Sequence, residues 1–152
     1  MVDEFSIEGD LDDEPVSEVL CGQLGTLVDC VRDRQGLIGS VTLVFTDDEQ
    51  MRKLNGQYRD KDRTTDVLSF DLGPSVDLPG QVETGYKEIY ISVAQARRQA
   101  TELGVDLTEE LGRLFVHGLL HLSGWDHETE EKLNLMEKET DAILAHIGLL
   151  SQ

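Results

Sequence analysis

Apolar positions change their spacing along the chain, and each change predicts a new element. In residues 2–8, Phe5 and Ile7 alternate with polar neighbours, as in a short edge strand. In residues 14–34 the period lengthens. Val16, Val19, Leu20, Leu24, Leu27, Val28 and Val31 recur at three- and four-residue steps, the stripe of an amphipathic helix. Gly36 and Gly39 interrupt it. Residues 40–45 are β-branched and alternating, which predicts a strand. Thr46 or Asp47 can cap the next helix, which carries Met51, Leu54 and Tyr58 and ends near Arg59. Residues 60–64 are a polar loop and 66–70 a strand. Pro74, Pro79, Gly73, Gly80 and Gly85 mark 71–85 as a surface excursion, and 88–92 are another strand. Ser92 or Val93 opens a helix to about residue 102, which Gly104 stops. Asp106 or Thr108 opens a further one, with Glu109 and Glu110 in its first turn, that runs to Leu122 before Gly124. A last helix covers about residues 128–146. Strands interspersed with helices predict an α+β fold: one domain over 1–152, with about four strands in a small mixed sheet and five to six helices.

A length of 152 residues suits one domain. No apolar run approaches the roughly 20 residues of a membrane span. The first residues carry no basic region followed by an apolar stretch, so a cytoplasmic protein is expected. The 13 Lys and Arg face 31 Asp and Glu, a net charge of −18, which excludes a basic nucleic-acid coat protein. Residues 1–18 hold eight acids and no base, an acidic segment that reads as a solvated face or tail. The bases are grouped: Arg59, Lys61 and Arg63 together, then Arg97 beside Arg98. A local basic cleft can serve an anionic substrate whatever the net charge. Cys21 and Cys30 fall in one predicted helix, about 13 Å apart along its axis, too far for a disulfide. Both are expected to be reduced and buried.

The chemistry concentrates in residues 117–127, where the histidines follow H-x3-H-x5-H. His117 and His121 are one helical turn apart and share a face. Gly124 lets the chain turn back, so that His127 can supply a third imidazole. Three such nitrogens, at about 2.0–2.1 Å, suit Zn²⁺ and leave a fourth position for water, whose pKa the ion lowers to about 7. Asp126 is suited either to accept a hydrogen bond from a ligand histidine or to cap the final helix. Trp125 reads as packing rather than substrate stacking, and His146 as a helix-end cation.

Zinc peptidases of the H-E-x-x-H type place a glutamate after the first histidine as general base. Here that position is Gly118. A phosphodiester substrate needs less from that position. It needs a nucleophile and a cation for the charge on phosphorus, for which arginine is suited.

The run 117–127, HGLLHLSGWDH, resembles the H-G-x-L-H-L-x-G-Y-D-H signature of the YbeY-type rRNA maturation factor family. Residues 54–70, LNGQYRDKDRTTDVLSF, resemble that family's L-N-x-x-[YF]-R-x-x-x-x-P-T-D-V-L-S-F segment, and 88–92, EIYIS, its following strand. The similar region spans about 41–149. Thr64 stands for the usual Pro, Lys87 for a common Gly and Trp125 for Tyr; none is a ligand position. The resemblance implies an α+β fold and a single-strand-specific, metal-dependent endoribonuclease. Its expected role is maturation of the 3′ end of small-subunit (16S) rRNA and ribosome quality control. It implies one Zn²⁺ per chain on His117, His121 and His127, with His117 and Arg59 in catalytic roles. The implied partners are single-stranded RNA and the small ribosomal subunit with its proteins, with no DNA and no membrane. Two other readings stand beside it: a non-catalytic ribosome-biogenesis binding factor with a structural metal, and a metallopeptidase-like hydrolase.

Overall fold

The computed structural model describes residues 4–11, 14–59, 66–73, 86–125 and 128–149. Strand β1 (Phe5–Glu8) leads into helix α1 (Glu18–Gln35), then β2 (Ser40–Thr46), α2 (Asp48–Arg59), β3 (Val67–Gly73), β4 (Tyr86–Ser92), α3 (Val93–Leu103), α4 (Leu107–Leu122) and α5 (Glu130–His146). The four strands form one mixed sheet in the order β1-β2-β4-β3. β1 and β4 run parallel to β2, and β3 runs antiparallel to β4 along the other edge. The expected α+β class, small mixed sheet and helix number agree with this architecture.

The alternation read from β2 decides its two faces. Val41, Leu43 and Phe45 are buried, and the residues between them are half-buried. Their register partners on β4 include Ile89 and Ile91, which carry the same inner face across the sheet. α4 lies on that sheet, and Leu111, Phe115 and Leu119 of α4, Leu24, Leu27 and Val31 of α1, and Met136 and Ile143 of α5 join it in one core, α5 packing on α4 and α1. α4 is the central helix, in contact with α1, α3, α5, β3 and β4. Being apolar on nearly every side, it is buried on nearly every side, as such a helix must be.

Caps fall where the residues call for them. Asp47 Oδ1 accepts from the Gln50 N–H at 2.8 Å, and the Ser92 hydroxyl accepts from Gln95 N–H at 3.2 Å. Gly104 ends α3 with a left-handed φ of 70°. Four expectations are corrected. α1 begins at Glu18, not at 14, because Glu14 N–H bonds the Leu11 carbonyl and Ser17 supplies the cap. Val19 is therefore on the solvent side of α1, 72% exposed, and Val16 packs on the core from outside the helix. Residues 71–73 belong to β3 rather than to an excursion, since Asp71 and Gly73 pair with Lys87 and Tyr86. The two cysteines are free but only half-buried. Among the described residues, no helix is long and apolar enough to cross a membrane.

Candidate functional site

α4 runs unbroken from Leu107 to Leu122, so His117 and His121 stand one turn apart on one face. Both are half-buried, in a helix whose neighbouring positions Val116, Gly118, Leu119 and Leu120 are buried. The Nε2 atom of His117 is shut off from solvent. Imidazole nitrogens are donors of the right chemistry for a zinc-type ion, and a pair at this spacing can serve one. Arg59 is the last residue of α2; its side chain lies outside what the structure describes, as do His127 and Asp126. Among the described residues, no group of three His, Cys, Asp or Glu is close enough to hold a metal ion.

Gly118 has a packing reason to be glycine. A Cβ there would meet Ser69 Oγ at 2.9 Å and Ile89 Cδ1 and Cγ2 at 3.0 Å. The Ser69 hydroxyl donates to the Gly118 carbonyl at 3.3 Å, so α4 lies directly on β3 and β4 at this point. The position that bears the general base in an H-E-x-x-H peptidase is thus filled by the sheet.

The turn after α4 is tightly defined. Trp125 N–H bonds the Leu120 carbonyl at 2.9 Å, and Gly124 N–H bonds the His121 carbonyl at 3.1 Å. This is the paired bond pattern of a Schellman cap, with Gly124 at φ 102° as its left-handed residue. Trp125 packs on the core, as its sequence reading expected, and its indole N–H donates to Gln35 Oε1 at 2.9 Å. The cap of α5 is Thr129, whose side chain accepts from Lys132 N–H, so that task does not fall to Asp126. An open cavity of about 390 Å³ lies beside the turn, lined by Ser123, Gly124, Trp125, Lys132 and Leu135.

The other end of α4 holds a cluster that the sequence reading missed. Glu109 and Glu110 are 4% and 2% exposed. Arg113 lies 3.6 Å from each and bonds Asp141 at 3.1 Å. Gln99 donates to Glu110 at 2.7 Å. Burial holds the Glu110 carboxyl above its usual range, against the pull of Gln99 and Arg113, with Asp66 and Glu109 adding to the rise. The i, i+3 and i+4 spacing to Arg113 was the available signal.

A family model described as Endoribonuclease YbeY matches residues 13–148. The chain is 39% identical to the endoribonuclease YbeY of Geobacillus thermodenitrificans, over 95% of this chain and 99% of that protein. It is 41% identical to that of Moorella thermoacetica, over 96% of this chain and 98% of that protein. The solution structure of a Thermotoga maritima protein is similar at a TM-score of 0.58 and 25% identity, covering 93% of this chain and 90% of that one.

Proposed function

The chain belongs to the endoribonuclease YbeY family, and from that membership we propose that it is a single-strand-specific, metal-dependent endoribonuclease acting in 3′-end maturation of small-subunit (16S) rRNA and in ribosome quality control. His117, His121 and His127 would hold one zinc ion per chain. The shared face of His117 and His121 on α4 and the buried Nε2 of His117 support this assignment. Bound there, zinc supplies Lewis acidity toward a phosphate oxygen and an acidified water. Arg59, at the end of α2, would bind the scissile phosphate; its guanidinium is always charged, planar and able to bond two oxygens. The single observation that separates this reading from a metallopeptidase is Gly118, pressed against Ser69 and Ile89 where a peptidase needs a carboxylate. A binding factor without catalysis is not favoured, since the relatives carry the name endoribonuclease. The net charge of −18 suits docking against basic ribosomal proteins, in the cytoplasm, where the RNA is presented.

The test is cleavage of a labelled single-stranded RNA by zinc-loaded protein. His117→Ala, Arg59→Ala and chelation are each expected to lower the rate at least ~100-fold without moving the unfolding midpoint of the metal-free chain. A duplex of the same sequence should remain uncut. Undiminished cleavage in both variants would overturn the assignment.

A further inference from the structure

We propose that the cavity beside the turn after α4 is a base-binding subsite for single-stranded RNA, in which one unpaired base stacks on Trp125 against Leu135 while Lys132 takes a neighbouring phosphate. The proposal rests on the RNA-cleaving reading given above and adds where the strand is held. The cavity has a volume of about 390 Å³ and is lined by Ser123, Gly124, Trp125, Lys132 and Leu135. Ser123 lies two residues after His121, so the cavity opens at the end of α4 that carries the histidine pair. A Cβ on Gly124 would meet nothing within 4 Å, so the space beside the turn is open.

The lining has the chemistry of a stacking site. Trp125 packs on the core but is only half-buried, so part of it remains for the cavity. Its one polar side-chain atom donates to Gln35 Oε1 at 2.9 Å, and everything else the indole offers is carbon. Leu135 adds an apolar side chain left 50% exposed. Such surfaces suit the face of a base, whatever the base is. The indole is also set in place beforehand. The backbone of Trp125 is fixed by its N–H on the Leu120 carbonyl. Gln35 Nε2 donates to Glu139 Oε2 at 2.8 Å. A carboxylate only accepts, so the amide nitrogen faces Glu139 and the amide oxygen faces the indole. Glu139 is in turn gripped by Arg34, with Nε to Oε2 at 2.7 Å and Nη2 to Oε1 at 2.6 Å. A platform ordered before binding loses little further freedom when a base arrives. Lys132 brings an ammonium to the lining in a chain of net charge −18. An aliphatic ligand has no use for that cation, whereas a strand offers a phosphate beside every base. A base in a duplex is already stacked and paired, so only a single strand gives one up without that cost.

Trp125 is the chain's single tryptophan, so its emission reports on the cavity directly. Rapid mixing of the zinc-loaded full chain with a short single-stranded RNA should quench that emission saturably before the strand is cut, and an abasic strand of equal length should not. Trp125→Leu should raise KM for the strand about tenfold with kcat little changed, the loss of one base–aromatic stack. Lys132→Gln, at an exposed position, carries the test if Trp125→Leu does not fold. It should weaken RNA binding and lower the slope of log affinity against log salt by about one. Lys138→Gln removes the same charge from an exposed position of the same helix outside the cavity, and should leave affinity within about twofold of the parent. A parent that cuts RNA with its emission unmoved, an abasic strand that quenches equally, or equal effects of the two lysine variants overturns the subsite alone. A parent that neither binds nor cuts RNA overturns the RNA-cleaving reading and the subsite with it.

Discussion

α4 carries polar residues at both ends, and the two ends treat them differently. At its start, Glu109 and Glu110 are buried and closed upon Arg113, with Gln99 and Asp141 completing the set from α3 and α5. At its end, His117 and His121 stay half-exposed, beside a turn held by backbone bonds and by Gln35. Charges with a structural task are matched by side chains that neighbouring elements supply. His117 and His121, half-buried beside a well-defined turn, are the pair on which the proposed metal site rests. The contrast is a physical reason for seeking chemistry at the C-terminal end alone, although the N-terminal end holds more charge.

Removing Arg113 probes the contrast most severely. Arg113→Met leaves two buried carboxylates facing each other without their guanidinium. Breaking such a pair from one side costs roughly 3 kcal/mol, moderated here because the Arg113 side chain is 22% exposed. Urea unfolding should register a loss of about 2–3 kcal/mol, while zinc affinity stays within about twofold of the parent. A loss of zinc binding with unchanged stability would reverse the roles assigned to the two ends.

The fold was legible in the sequence because its signals are local. Alternation in β2, the apolar stripe of α1, the cap residues Asp47 and Ser92, and the stop at Gly104 act within a few residues, and the elements they predict stand in the structure. The start of α1 was misread because Val16 and Val19 fit the helical period, and nothing in the period shows that Glu14 N–H bonds Leu11. At the site, the spacing of His117 and His121 was enough to set them on one face. What the sequence could not carry was distance. Gln35 has no motif and meets Trp125 only through the packing of α1 beside the turn. Glu109 and Glu110 looked like ordinary first-turn acids, favourable to the helix dipole, until tertiary packing buried them. Gly118 was noted for what it lacks, whereas the sheet beneath it is what excludes a side chain.

That contact gives a sharper comparison of intermediate size, between two glycines in helix interiors. A methyl added at Gly22 of α1 would have nothing within 4 Å, whereas one added at Gly118 would have three atoms at or below 3.0 Å. Gly22→Ala should therefore stabilise the chain by about 0.5–1 kcal/mol, the ordinary helix-propensity gain. Gly118→Ala should destabilise it by about 1–3 kcal/mol, because β3 and β4 have to move away from α4. Both are read from denaturant midpoints. Equal gains at the two positions would mean that the sheet does not constrain α4 here, and the argument against a carboxylate at 118 would fall.

The smallest effect expected is also the most diagnostic of the two ends, because it has opposite signs. Burial raises the Glu110 carboxyl above its ordinary value of 4.5, so the folded chain holds that proton more tightly than the unfolded chain. Its stabilising contribution is complete below that ordinary value and is lost as pH rises through the raised one. Glu139 of α5, bonded by Arg34 and Gln35, behaves inversely. The hydrogen bond from Arg34 leads in lowering its carboxyl below 4.5, with Gln35 helping. Its contribution is present above the ordinary value and is lost as pH falls through the lowered one. Unfolding free energies measured between about pH 3 and pH 7 should then separate two variants. Relative to the parent, Glu110→Gln should gain stability as pH rises from about 4.5, since the variant keeps an acceptor for Gln99 and no longer buries a charge. Glu139→Gln should lose stability relative to the parent in the window below, as pH rises toward about 4.5, since the parent's ion pair forms there and the variant's cannot. Parallel profiles would mean that both carboxylates sit in equivalent surroundings, and the distinction between a buried charge cluster and the Arg34–Glu139 ion pair would not hold. Crossing profiles would place that distinction in the electrostatics of the folded chain, where Arg34 grips a carboxylate that two bonds later orients the indole of Trp125.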